Sequence, residues 1–454
     1  MQKKHRVLMI SILLFTLVLI LFLTNRWGIS HSMDLSKNDF NPLQSETSFY
    51  NLAKIKEFSQ REMFSSKGTI EAIIENSSSS GCTGPNGYYR FIPREDCSSN
   101  LCYIDYSSCR EIYLCNQPNC THSDNTCPAW YPSNLGILLA IPVGNRVAII
   151  HGGSPDYAEI IGESALAQIE IVDADGTNRK SLITFPANIQ ISNLPRGGYA
   201  RDSENVYFVL TLTLPTATLR SLCALNVVEE KIYSLYDLSE DEEKIIGALD
   251  NELLLSYSPN SYDISYSAND LKTNIICLDS KTENYRQIVS HPYLSICGLD
   301  SHNYYVLSPQ GELCTYSLND GAASDTLQIA FPDGFDSNNM HSDGFFDGKL
   351  LVHSYNVSAA TEGPSPLVYC AIDVKTGSVT NLTWTYSLDE LGFCACSIAA
   401  EVDENFMVRI GQHNQSVTLP SGEEVSYPIY QYAMVEKNSY WNNETNNVQV
   451  ISCG

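Results

Sequence analysis

Positive charge is scarce in this chain. Of 454 residues only 27 are Lys or Arg, against 52 Asp or Glu, which gives a formal net charge of −25. A face that binds phosphate backbones needs a basic excess, so nucleic acid is excluded as a partner. Charge of either sign is also sparse, at 17% of residues, below the roughly 25% of an average globular chain. Aromatic residues reach 10%, and that richness excludes a disordered chain. Several catalytic signatures are missing as well. The sequence contains no G-x-S-x-G elbow, no P-loop, no G-x-G-x-x-G and no H-E-x-x-H, and no α/β pattern follows its body.

What the sequence does have begins at its N-terminus. Lys3, Lys4, His5 and Arg6 form a basic cap, residues 1–6. An apolar run follows from Val7 to Leu23, interrupted only by Ser11 and Thr16. At 1.5 Å per residue such a run spans about 26 Å, close to the hydrocarbon thickness of a bilayer. No small-x-small cleavage site follows it, and the first cysteine is Cys82, too distant for a lipoprotein. Residues 7–24 are therefore expected to be an uncleaved transmembrane signal anchor, N-terminus inside, which makes this a single-pass cell-membrane protein with the remainder outside. Residues 25–68 read as a stalk, in which Phe49, Leu52, Ile55 and Phe58 recur at three-residue spacing.

From residue 69 to 454 the pattern is short apolar or alternating runs broken by Gly, Asn, Asp and Pro, as all-β proteins show. One unit recurs. Two strands lead to a turn marked by an acidic or amide residue, and a further strand returns. The marker appears at Asp173, Asn226, Asp279, Asn319, Asp373 and Glu436, at intervals of 53, 53, 40, 54 and 63 residues. A weaker first copy is Tyr88–Phe91, Leu101–Asp105 and Arg110–Leu114. Units of this size are those of propeller blades. The expected fold is an all-β β-propeller ectodomain with seven blades favoured and six the alternative; two β-sandwiches compete, but do not require one hairpin to recur.

Two segments resemble known families. Val172-Asp173-Ala174-Asp175-Gly176-Thr177-Asn178 resembles the blade hairpin of TolB-like propellers. The stretch from Leu114 through Cys115, Cys120, His122 and Cys127 to Trp130 is similar to a signature of membrane-tethered β-propeller proteins of unknown function from Gram-positive bacteria. The resemblance implies a propeller ectodomain and brings no activity with it.

Fifteen cysteines divide into two groups. Seven lie in a Cys-rich first blade, residues 82–130: Cys82, Cys97, Cys102, Cys109, Cys115, Cys120 and Cys127. In an extracytoplasmic chain these suggest disulfides. Cys115, Cys120, His122 and Cys127 alternatively supply three thiolates and an imidazole, a donor set for structural zinc; reduced thiols are the third reading. Cys223, Cys277 and Cys370 stand in apolar strand positions and read as small core residues. Asp173-x-Asp175-Gly176 begins like a calcium loop, but position 182 is Leu, so a hairpin turn accounts for it. The acidic run 237–243 reads as a solvated loop. Six N-x-[ST] sequons, at Asn76, Asn119, Asn356, Asn381, Asn414 and Asn443, read as surface asparagines.

The functional expectation is a non-enzymatic module that binds an extracellular protein, peptide or glycan. The alternative is a glycosidase or lyase with acidic and histidine residues gathered at the propeller axis, drawn from carboxylates and from His291, His302, His341, His353 and His413. The third is a structural or sensory accessory to a neighbouring membrane complex.

Overall fold

The computed structural model describes residues 58–59, 64–73, 81–132, 138–154, 157–192, 198–215, 217–238, 244–258, 271–279, 285–292, 295–324, 326–355, 367–387, 393–444 and 447–453. Residues 1–57 lie outside these, and with them the basic cap, the apolar run 7–24 and most of the stalk. Among the described residues no helix is long and apolar enough to cross a membrane.

Seven antiparallel sheets of four core strands follow one another along the chain. Blade I is Gly81–Thr83, Gly87–Pro93, Ser99–Asp105 and Arg110–Tyr113. Blade II is Leu138–Val143, Arg146–His151, Gln168–Asp173 and Lys180–Thr184. Blade III is Tyr199–Arg201, Asn205–Thr213, Thr218–Asn226 and Lys231–Leu238. Blade IV is Lys244–Leu249, Glu252–Tyr257, Lys272–Asp279 and Tyr285–Pro292. Blade V is Ile296–Leu299, Asn303–Leu307, Glu312–Ser317 and Leu327–Gln328. Blade VI is Met340–Phe346, Lys349–Tyr355, Leu367–Asp373 and Val379–Asn381, and blade VII is Ile398–Val402, Asn405–Thr418, Glu424–Glu436 and Val448–Val450.

The central strands are apolar throughout because each sheet is buried on both faces. Side chains alternate along a strand, so consecutive residues serve opposite neighbours. In the second strand of blade III, Val206, Phe208 and Leu210 pack toward blade II, while Tyr207 and Val209 pack toward blade IV. Equivalent clusters join I to II, IV to V, V to VI and VI to VII. A last cluster, with Tyr88, Ile104, Met407, Tyr432 and Met434, joins VII back to I. The sheets therefore close into a seven-bladed propeller, and the six-bladed alternative falls.

The marker residues earn their recurrence at the turn between third and fourth strands. Asp105 accepts from Ser108 N at 2.7 Å. Asn226 accepts from Val228 N and Glu229 N at 3.0 and 2.7 Å, and Asp373 from Lys375 N and Thr376 N at 3.0 and 2.8 Å. Each side chain caps a chain reversal that would otherwise leave amides unpaired. A second device joins first and second strands. In Asp202-Ser-Glu-Asn205-Val-Tyr207, Asp202 accepts from Asn205 N and from the Tyr207 hydroxyl, both at 2.8 Å. Asp300-Ser-His-Asn303-Tyr-Tyr305 repeats this, with distances of 2.7 and 2.6 Å.

Ring closure uses no exchanged strand. The first core strand of blade I and the last of blade VII belong to their own contiguous sheets, and Ser452–Cys453 adds a two-residue parallel edge beside Arg110 and Glu111. Inside this seam lies a buried ion pair. Arg90 donates to Glu111 through Nε at 2.5 Å and Nη2 at 2.7 Å, to the Tyr430 carbonyl at 2.8 Å, and stacks over the Tyr432 ring at 4.9 Å.

The described end of the stretch read as stalk is built into the ring. Phe58–Ser59 pairs in parallel with Ile232 and Tyr233 on the outer edge of blade III. Phe64 and Ile70 then pack into the core between blades III and IV, and Glu71–Ile73 pairs with the innermost strand of blade III. The segment is apolar where it crosses the groove and polar where it meets the turns, as at Lys67 N, which donates to Asp202 Oδ2 at 2.9 Å. Such a short segment has too few residues to show a strand period, so the sequence did not separate it from a spacer.

The two faces of the ring differ. Antiparallel alternation puts every first-to-second turn on one face, and these hold two or three residues. Second-to-third connections lie on the opposite face. There residues 152–167 carry a helical excursion, and the 405–436 hairpin runs far beyond the blade. Its tip reaches blades I and II: Thr418 N donates to the Glu95 carbonyl at 2.9 Å, and Val417 and Leu419 pack with Cys97, Tyr157 and Ile161.

Candidate metal centre

The outer edge of blade I is broken. Arg110–Tyr113 and Trp130–Tyr131 both pair with the third strand, Ser99–Asp105, one after the other. Residues 114–129 leave the sheet between them. Leu114 stays in the core between blades I and II, and the Leu101 amide donates to the Ala129 carbonyl at 2.8 Å where the chain returns. The loop is thus pinned at both ends.

Within it, tight turns fold the chain back on itself. Asn119 and His122 take left-handed backbone, φ 59° and 53°. The Cys120 amide donates to the Gln117 carbonyl, and the Cys127 amide to the Asp124 carbonyl at 3.1 Å. Asp124 Oδ1 also accepts from Thr126 N at 2.9 Å and Thr126 Oγ1 at 2.6 Å. Asn100 Nδ2 holds the His122 carbonyl at 3.1 Å, and Tyr113 lies against the His122 ring, centroids 4.4 Å apart.

These turns bring the donor atoms of Cys115, Cys120, His122 and Cys127 within 4.8 Å of one another. His122 Nδ1 is 3.2 Å from Cys127 Sγ. A tetrahedral metal with sulfur at about 2.3 Å requires donor–donor edges of about 3.8 Å, so little adjustment is needed. The soft, three-sulfur donor set suits zinc-like metals rather than Mg²⁺ or Ca²⁺. Local electrostatics divide the thiols. The His122 backbone N–H, 3.4 Å from Cys120 Sγ, holds the Cys120 thiol below its ordinary pKa, whereas burial pushes Cys127 up to about 12. Burial also lowers the His122 imidazole, which keeps it neutral and able to donate its lone pair. This cluster can hold a metal.

The other four cysteines of the Cys-rich blade are elsewhere. Cys82 is on the innermost strand, Cys97 under the hairpin tip, Cys102 in the third strand and Cys109 in a turn with φ 52°. No disulfide joins any of the fifteen cysteines. Cys223, Cys277 and Cys370 occupy third strands and are almost wholly buried, which is the core role their spacing suggested. The histidines weighed for a composite axial site do not converge. His291 is buried in blade IV, His302 is in a turn of blade V, His341 and His353 face each other in blade VI, and His413 is on the long second strand of blade VII. Asp175 accepts from Thr177 N and Oγ1 in a hairpin turn, which accounts for the calcium-like residues.

No family model matches the sequence, and no curated protein matches it. Solved structures of propellers do. The chain is similar to the β-propeller domain of the Trilobed protease from Pyrococcus furiosus, at 9% identity and TM-score 0.43 over 84% of this chain and 98% of that one. It is similar to TolB from Acinetobacter baumannii, at 12% identity and TM-score 0.33 over 78% and 77%. It is also similar to an oligogalacturonate lyase in complex with manganese, at 10% identity and TM-score 0.41 over 83% and 100%.

Proposed function

We propose that this chain is a membrane-anchored, extracytoplasmic propeller that binds a protein, peptide or glycan on its long-loop face, with zinc bracing blade I beside it. The observation that supports the binding role is the one-sidedness of the ring. Short capped turns cover one face, and the chain enters the ring along it. The long hairpin and the 152–167 excursion belong to the other. Two large apolar side chains are exposed there, Ile160 at 54% and Tyr355 at 38%. Anchoring rests on the apolar run 7–24. The zinc reading rests on the Cys115, Cys120, His122 and Cys127 geometry, which lies next to Arg94 and so next to the turn on which the hairpin lands.

The test uses the full chain reconstituted in lipid discs. Candidate glycans and peptides are screened for retention by the wild type, by Ile160→Asp and Tyr355→Asp on the long-loop face, and by Val228→Asp on the short-turn face. Loss of retention in the first two alone supports the reading; loss in Val228→Asp alone overturns it. Carbonate extraction of membranes tests the anchor, since a spanning segment stays in the pellet.

The enzyme reading retains one specific observation. Asp343 Oδ2 and His353 Nδ1 are 2.6 Å apart in blade VI, an arrangement that can orient an imidazole for proton transfer. Turnover of an oligosaccharide that is lost in His353→Gln would favour it.

A further inference from the structure

Six buried or half-buried arginines in this acidic chain have carboxylate partners. Arg90 pairs with Glu111, Arg94 with Asp96, Arg146 with Glu230, Arg179 with Glu170, Arg201 with Glu71 and Arg286 with Glu252. Arg409 differs. Among the described residues it forms no ion pair, and its buried Nε has no hydrogen-bond partner. Its guanidinium instead lies over two aromatic rings, 5.5 Å from the Tyr386 centroid and 4.6 Å from that of Tyr430. A partly desolvated cation without an anion is costly, so an anion brought by a ligand would be favoured there.

The backbone around it also departs from that of the other blades. The pairing of second and third strands runs without interruption in blades I to VI, but in blade VII the register shifts between Arg409 and Gly411. Bulges of this kind re-aim side chains. Arg409 is the fifth residue of its strand, a position filled by Phe91, Ile150, Val209 and Leu307 in blades I, II, III and V. In blade VI the same position is His353. A bulge between first and second strands recurs at Ile246, Asp343 and Ala399, and only in blade VI is its extra residue charged. Blade IV has Ser256 at the fifth position, and the ionisable substitutions, His353 and Arg409, fall on adjoining blades. Tyr355 and Cys394 both lie within electrostatic reach of Asp343 and Arg409, which places the groups in one neighbourhood.

We propose that this site, at the long-loop end of the seam between blades VI and VII, binds a ligand through a carboxylate, with Arg409 as the anchor. The planar guanidinium fork matches a carboxylate in bidentate fashion. Tyr355, 38% exposed, offers a surface for the body of the ligand. Asp343, held by His353, limits how much negative charge the site accepts. One arginine balances a single carboxylate, whereas a doubly charged phosphate would also face Asp343. The proposal deepens the binding reading above and rests on it for the choice of face.

The experiment titrates the full chain in lipid discs with two carboxylates, glucuronate for a saccharide source and N-acetyl-dialanine for a peptide C-terminus. The methyl ester of each and inorganic phosphate are run beside them. Binding of at least one acid is expected, with its ester weaker by tenfold or more. Arg409→Gln should weaken the acid by about tenfold, about 1.4 kcal/mol, and Arg409→Lys by less. Unchanged thermal melting of Arg409→Lys keeps the comparison valid should Arg409→Gln misfold. The proposal is overturned if neither acid binds below about 10 mM, if an ester binds as well as its acid, or if phosphate binds more tightly than both. Retention of a partner that Ile160→Asp abolishes, without acid binding, would overturn this site alone and leave the binding face standing.

Discussion

Glu111→Gln should open the seam that closes the ring. Arg90 and Glu111 are 7% and 6% exposed, and the Cys453 thiol donates to Glu111 Oε2 at 3.8 Å. The substitution leaves a buried guanidinium with neutral partners only, and breaking one side of such a pair costs about 3–5 kcal/mol. Residues 64–453 span the ring. At about 2.1 cal/mol/K per residue, a unit of roughly 390 residues loses about 1.2 °C per kcal/mol, so the midpoint should fall by about 4–6 °C if the ring melts as one. Calorimetry of the full chain reads this directly. The double variant Arg90→Met/Glu111→Leu replaces both charges by apolar groups and should recover most of the loss. A midpoint for Glu111→Gln within 1 °C of wild type, or a double variant as unstable as the single one, would refute the claim that this pair secures closure.

Other outcomes follow from the metal centre and from a buried imidazole. The purified full chain should carry about one zinc per molecule, and Cys120→Ser or a strong chelator should remove it and lower the melting temperature; metal analysis showing none would sink the zinc assignment. His291 is 4% exposed, and burial lowers its pKa. The folded state therefore binds its proton later than the unfolded state does. Stability from this group is present above about pH 6.5 and is lost as pH falls, by at most about 1.4 kcal/mol per pH unit. Chemical denaturation of His291→Gln between pH 5 and 7 should show a shallower slope than wild type, and equal slopes would dismiss the effect.

The blade repeat was legible because its turns need a particular chemistry. Asp105, Asn226 and Asp373 cap the same reversal, so one residue type recurs even where the strands diverge. The Cys-rich segment was only half legible. Spacing alone cannot say that Cys115, Cys120 and Cys127 meet while Cys97, Cys102 and Cys109 stay apart, because left-handed turns at Asn119 and His122 decide it. The Arg409 site gave no local signal. It is built from Asp343, Tyr355, Tyr386, Arg409 and Tyr430, which only the adjacency of two sheets assembles. Phe64 misled for the opposite reason: an isolated apolar residue carries no period, so the end of a segment seated between two blades looked like a spacer.

The four core strands of each blade follow one another in sequence, and the ring meets itself through side chains and a two-residue edge. The seam between VII and I is then of the same kind as the other six. Duplication or excision of one whole unit other than I or III would therefore leave every remaining blade ladder intact and disturb only a single junction. A gene for such a ring can change its number of petals by crossing over between repeats, while the two terminal segments stay paired to blades I and III.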